Sequence, residues 1–93
     1  MPKYKVIAHR RVLKFLNDST DQALKSTIKG HIEKLEGYPL SLRQMDTEKI
    51  RGAKNTFRLR VRKVRILFFV DSPQGTIFVT HIEARKRASE KTG

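Results

Sequence analysis

Phe57-Arg58-Leu59-Arg60-Val61-Arg62 alternates apolar and basic residues, and Val64-Arg65-Ile66-Leu67-Phe68-Phe69-Val70 follows after Lys63 alone. Strict alternation is the period of a β-strand, because successive side chains point to opposite faces. Phe57, Leu59 and Val61 therefore share one face, and Arg58, Arg60 and Arg62 the other. The second stretch is apolar on both faces except at Arg65, as expected of a strand in the centre of a sheet. Asp71-Ser72-Pro73-Gln74-Gly75 has the composition of a turn. Thr76 to Glu83 then reads as the third strand of an antiparallel meander.

Toward the N-terminus, Tyr4 to Ala8 reads as a short strand. Val12, Leu13, Phe15 and Leu16 predict a helix from about Arg10 to Asn17. Ser19-Thr20-Asp21-Gln22 has capping-box form, with the Ser19 hydroxyl as the cap. A second helix follows to about Leu35, with Leu24, Ile28, Ile32 and Leu35 on one face. Gly30 inside it costs about 1 kcal/mol relative to alanine. Gly37 and Pro39 are stop signals, and Leu40 to Glu48 is predicted as loop. Two amphipathic helices need an apolar sheet face to cover. The expected fold is α+β: a two-layer sandwich of strand, helix, helix and a three-stranded antiparallel meander. The arginines lie on its open face. Residues 1–93 are expected to form one domain with a basic tail from about residue 84.

The chain has 93 residues, 21 lysines and arginines against 9 acids, a formal charge of +12 and no cysteine. Disulfides and thiolate chemistry are excluded. A surface so charged concentrates polyanions. The longest apolar run, Ile66 to Val70, is far below the ~20 residues that span a bilayer. A soluble, cytoplasmic protein without membrane contact is expected.

Between Lys49 and Val70 lie Lys49, Arg51, Lys54, Arg58, Arg60, Arg62, Lys63 and Arg65, with no acidic residue among them. Arg58 and Arg60 project together, while the side taken by Arg65 depends on the turn at Arg62-Lys63. Two readings stay open: a solvated basic face, or a platform whose guanidinium forks match phosphate oxygens. Arg65 must face the open side or find a partner, with Asp71, Asp46 or Glu48 as candidates. His9, His31 and His81 lack ligand spacing, so no metal site and no cofactor is expected. His81, on the last strand before the basic tail, suits proton transfer. No serine-hydrolase pattern and no glycine-rich phosphate loop is present.

Lys49-Ile50-Arg51-Gly52, the alternating strand from Phe57 and the strand Val64-Arg65-Ile66-Leu67-Phe68 together resemble the RelE/ParE toxin superfamily. Those proteins share a Lys-Leu-x-Gly motif, an aromatic-led basic strand and a Tyr-Arg-apolar-apolar-Tyr strand. Val64 and Phe68 stand here at the tyrosine positions. The resemblance covers nearly the whole chain. It implies a RelE-like mRNA endonuclease that acts on the ribosome, needs no metal and is neutralised by an antitoxin. Arg58, Arg60, Arg65 and Arg85 match family positions that orient RNA and stabilise the scissile phosphate, and His81, Glu83, Lys86 and Lys91 are candidates for proton transfer. Lys49, Arg51, Lys54, Arg62, Lys63, Lys86 and Arg87 would add RNA contacts. The tyrosine common in RelE-type tails has no counterpart, since the only tyrosines are Tyr4 and Tyr38. The alternatives are a ParE-like inhibitor of gyrase and a non-catalytic RNA-binding module.

Overall fold

The computed structural model describes residues 3–84. Five strands form a single sheet in the order β1-β5-β4-β3-β2. They are β1 (Lys5–Ala8), β2 (Asp46–Lys49), β3 (Thr56–Val61), β4 (Val64–Asp71) and β5 (Thr76–Ala84). The expected meander is β3-β4-β5, antiparallel throughout. β1 pairs in parallel with β5, Lys5 opposite Thr76 through Ala8 opposite Val79. Helices α1 (Arg10–Asp18) and α2 (Gln22–Lys34) connect β1 to the rest.

The strand β2 departs from the expected loop. Its sequence, Asp-Thr-Glu-Lys, carries no strand signal of its own. It is extended because it pairs with β3, Asp46 opposite Arg60 and Lys49 opposite Phe57. The preceding Leu40–Gln44 forms a 3-10 turn. From it Leu42 and Met45 pack against the core, while Leu40 stays exposed.

The core lies between the helices and one sheet face. Val12, Leu16, Leu24, Ile28 and Leu35 meet Leu59, Val61, Val64, Ile66, Phe68, Val70, Ile77 and Val79 there. Burial alternates strictly along β4, with Val64, Ile66, Phe68 and Val70 inside. Leu13 is left 51% exposed, because α1 presents only its Val12–Leu16 stripe to the sheet. The cap of α2 is Asp21 rather than Ser19: an Asp21 carboxylate oxygen accepts from Leu24 N–H at 3.0 Å. A carboxylate is both a strong acceptor and favourable beside the positive end of a helix. The Ser19 hydroxyl instead accepts from Asp21 N–H.

At Gly30, an added Cβ would meet nothing within 4 Å. Gly30→Ala should therefore stabilise the fold by about 1 kcal/mol, and raise the melting temperature by roughly 4–8 °C in a domain of this size. A calorimetric melt that shows no rise would mean that α2 gains nothing from helix propensity at this position.

Candidate functional site

The sheet face turned away from the helices gathers the arginines. Arg60 and Arg65 are directly opposed across β3 and β4, and Arg58 stands two residues before Arg60. Cβ atoms of opposed residues lie about 5 Å apart, so the guanidiniums of Arg60 and Arg65 reach the same space. The two-residue turn that joins β3 to β4 decides this. It closes with Val61 opposite Val64, which fixes Arg65 on the arginine side.

The same register brings acids to these cations. One row across the sheet reads Asp46, Arg60, Arg65, Glu83. The next reads Glu48, Arg58, Leu67, His81. Arg60 donates from Nη2 to Glu48 Oε1 at 3.5 Å. Arg65 Nη2 faces Glu83 Oε1 at 4.0 Å. The partner of Arg65 is thus Glu83, not Asp71, Asp46 or Glu48; Asp71 instead accepts from Gln74 N–H in the turn after β4. Arg65 Nε is sealed from water and meets no acceptor among the described residues. Arg58 makes no ion pair among them. These exposed and half-exposed pairs are weak, worth about 0–1 kcal/mol each, so an anion with better geometry can displace the carboxylates.

His81 sits on the same face, beside a bulge that shifts the β4–β5 register between Leu67 and Phe68. Its Nε2 lies 2.6 Å from Arg11 Nη1, so the imidazole accepts there. Its Nδ1 then carries the proton and donates to the Thr80 hydroxyl at 3.0 Å. Thr80 in turn donates to the Leu67 carbonyl. This chain fixes one tautomer and one ring orientation. Farther along the open face, Phe69 and Phe78 stack with ring centres 6.4 Å apart. Both are half-buried on this side, so they are not part of the core.

Other sequence candidates lie elsewhere. Lys49 is opposite Phe57, so it projects from the other side of the sheet than the arginines. Arg51 and Lys54 are exposed in the β2–β3 loop, which turns at Gly52 with φ +78°. Arg62 is not on the strand face: with Lys63 it forms the β3–β4 turn, in a left-handed conformation (φ 54°). Arg85, Lys86, Arg87 and Lys91 lie outside the described residues. His9 caps α1, its Nδ1 accepting from Arg11 N–H. His31 donates from Nδ1 to the Thr27 carbonyl within α2. Among the described residues, no three histidine, aspartate or glutamate side chains are placed to share a metal ion. No helix among them is long and apolar enough to cross a membrane.

A protein of Methanocaldococcus jannaschii that carries the name RelE1 toxin is 31% identical over 86 residues, 92% of this chain and 94% of its own length. This chain belongs to the RelE toxin family. Solved RelE structures have the same fold. The Pyrococcus horikoshii RelE–RelB complex matches with a TM-score of 0.80 and 24% identity, over 92% of this chain and 99% of the toxin. The Escherichia coli RelE toxin matches with a TM-score of 0.70 and 19% identity, over 96% and 92%. The M. jannaschii RelB–RelE complex gives 0.71 and 23%, over 94% and 99%. No protein-family model matches the chain.

Within this RelE-family fold, sequence reasoning missed the pairing of Glu48 with Arg60 and of Glu83 with Arg65, and it missed Arg11. Nothing in the sequence connects Arg11 with His81, 70 positions later.

Proposed function

We propose that this RelE-family toxin is a ribosome-dependent mRNA endonuclease, kept inactive in the cytoplasm by an antitoxin. The observation that supports it most is the convergence of Arg58, Arg60 and Arg65 on one open sheet face. Two further observations agree: related toxins have been solved in complex with RelB, and the basic surface draws in a polyanion.

The reaction that suits this face is attack by the ribose 2′-oxygen on the adjacent phosphorus. The 2′-hydroxyl loses its proton to a base as the new P–O bond forms. The arginines bind the charge that accumulates on the phosphoryl oxygens. The P–O5′ bond then breaks, and an acid protonates the leaving 5′-oxygen. The products are a 2′,3′-cyclic phosphate and a 5′-hydroxyl. Among the described residues beside the arginines of this face, His81, Asp46, Glu48 and Glu83 are the groups able to move these protons, since an arginine holds its proton up to a pH of about 12. A carboxylate that leaves Arg60 or Arg65 when the phosphate arrives is freed to act as the base. His81 first has to be released from Arg11 before its Nε2 can do so.

Expression of the chain alone in a bacterial host, with mRNA ends mapped by primer extension, tests the reading. Cuts confined to translated frames, with none in the same RNA when its translation is blocked, are the expected result. Intact mRNA with damaged DNA would overturn it in favour of gyrase inhibition. Intact mRNA and DNA would leave a binding module.

A further inference from the structure

We propose that the cleft lined by His9, Arg10, Arg11 and Lys14 is a second phosphate site, which holds the RNA backbone where it leaves the arginine face. The cleft has a volume of about 660 Å³ and, among the described residues, no acid in its lining. No carboxylate among the described residues lies within ion-pair distance of Arg10, Arg11 or Lys14. The open face differs in this respect, since Glu48 and Glu83 stand against Arg60 and Arg65 there. Uncompensated positive charge thus collects at the cleft.

Arg11 is built into position. Its Nε donates to His9 Nδ1 at 3.1 Å, and its Nη1 to His81 Nε2 at 2.6 Å. Both acceptors are neutral imidazoles at those atoms, so they orient the guanidinium without cancelling its charge. A guanidinium has five N–H donors in a fixed fork, so the rest are left for an anion. The attraction comes from side chains: the Arg11 backbone N–H is already taken by His9. Such a fork, flanked by Arg10 and Lys14, suits the oxygens of a phosphate.

RNA as the source of that phosphate follows from location. Arg11 joins the cleft to His81, and His81 lies in the row that runs through Leu67 to Arg58. Two strand spacings, roughly 10 Å, separate Arg58 from His81, a distance that a short single strand bridges. The identification of the ligand as RNA rests on the proposed function; the phosphate site itself does not.

Arg10 and Lys14 are exposed, so the double variant Arg10→Ala/Lys14→Ala keeps the core and the Arg11–His81 bond. The full-length variant and the parent protein are compared with two probes, after matched thermal melts. The first is inorganic phosphate followed by phosphorus NMR. Line broadening by the parent protein that the double variant reduces is expected, and Arg58→Ala should reduce separately the part that comes from the arginine face. The second is a series of single-stranded oligoribonucleotides titrated over a range of salt, with Arg58→Ala as a companion variant. For long oligonucleotides the double variant should flatten the slope of log affinity against log salt by about 1.4, two phosphate contacts at roughly 0.7 each for single strands. For oligonucleotides too short to reach past the arginine face, the slope should not change. An unchanged slope and unchanged phosphate broadening in the double variant, with a reduced slope in Arg58→Ala, overturn the cleft and leave the RNA reading standing. Phosphate binding that depends on Arg10 and Lys14, without any effect on RNA, overturns RNA as the ligand. Loss of neither overturns the site altogether.

Discussion

On the proposed function, Arg65→Ala lowers single-turnover cleavage of ribosome-bound mRNA by about 10²-fold or more, the scale set by one preorganised donor to a developing oxyanion. The structure separates this loss from a loss of folding. Arg65 holds Glu83 only at 4.0 Å, and the side chains are 31% and 57% exposed. Its removal leaves Glu83 in water, so the stability change should stay within about 1 kcal/mol. The buried Nε, without an acceptor among the described residues, adds to the case. A donor left unsatisfied inside a folded chain is uncommon and calls for an explanation other than stability. Binding to the ribosome should weaken far less than cleavage, because many other cations remain. Arg65→Lys should restore activity only in part, since an ammonium lacks the bidentate fork. Ribosome affinity, single-turnover rates and melting temperature, measured on the same preparations, decide the matter. A fall in melting temperature with unchanged cleavage per folded molecule would make Arg65 a structural residue.

Phe68→Ala should cost about 3–5 kcal/mol, the usual loss for a buried aromatic side chain. Phe68 is wholly buried in the middle of β4, where it stacks on Phe57 at 5.4 Å. That ring packs on Tyr38, which packs on Tyr4. Burial, and then the neighbouring Tyr4, raise the Tyr38 hydroxyl above its ordinary pKa. The loss at Phe68 is a large share of the roughly 5–15 kcal/mol that holds a domain together. Phe69→Ala, one residue on, should cost much less, because Phe69 lies half-buried on the open face. Denaturant melts of the two variants check the register as well as the core. A one-residue slip of β4 would exchange the faces of both side chains and reverse the order of the two costs.

The fold was largely legible because its elements repeat at the periods of regular structure. Alternation in Phe57 to Val61 marked β3, and the Leu24, Ile28, Ile32 and Leu35 spacing marked α2. β2 was not legible, since four polar residues form a strand only when a neighbour supplies the hydrogen bonds. The apolar character of Leu13 and Phe69 misleads for a related reason, since neither lies in the core. Apolar character says that a residue tolerates burial; packing decides whether a facing element exists to bury it.

The sequence by itself determined the α+β class, the strand order of the meander and the placing of Arg58 and Arg60 on a common side. Those properties follow from local periodicity and turn chemistry, which each segment carries alone. Tertiary structure decided what faces those arginines. From Lys49 to Val70 the chain is purely basic, yet the folded face sets Glu48 against Arg60 and Glu83 against Arg65. It also carried Arg11 across to His81 and left the cleft at α1 without a counter-charge among the described residues. Charge balance at a site is a sum over neighbours in space, and strand pairing brings in neighbours that are remote along the chain. Only the register of the assembled sheet could show where the positive charge is compensated and where it remains.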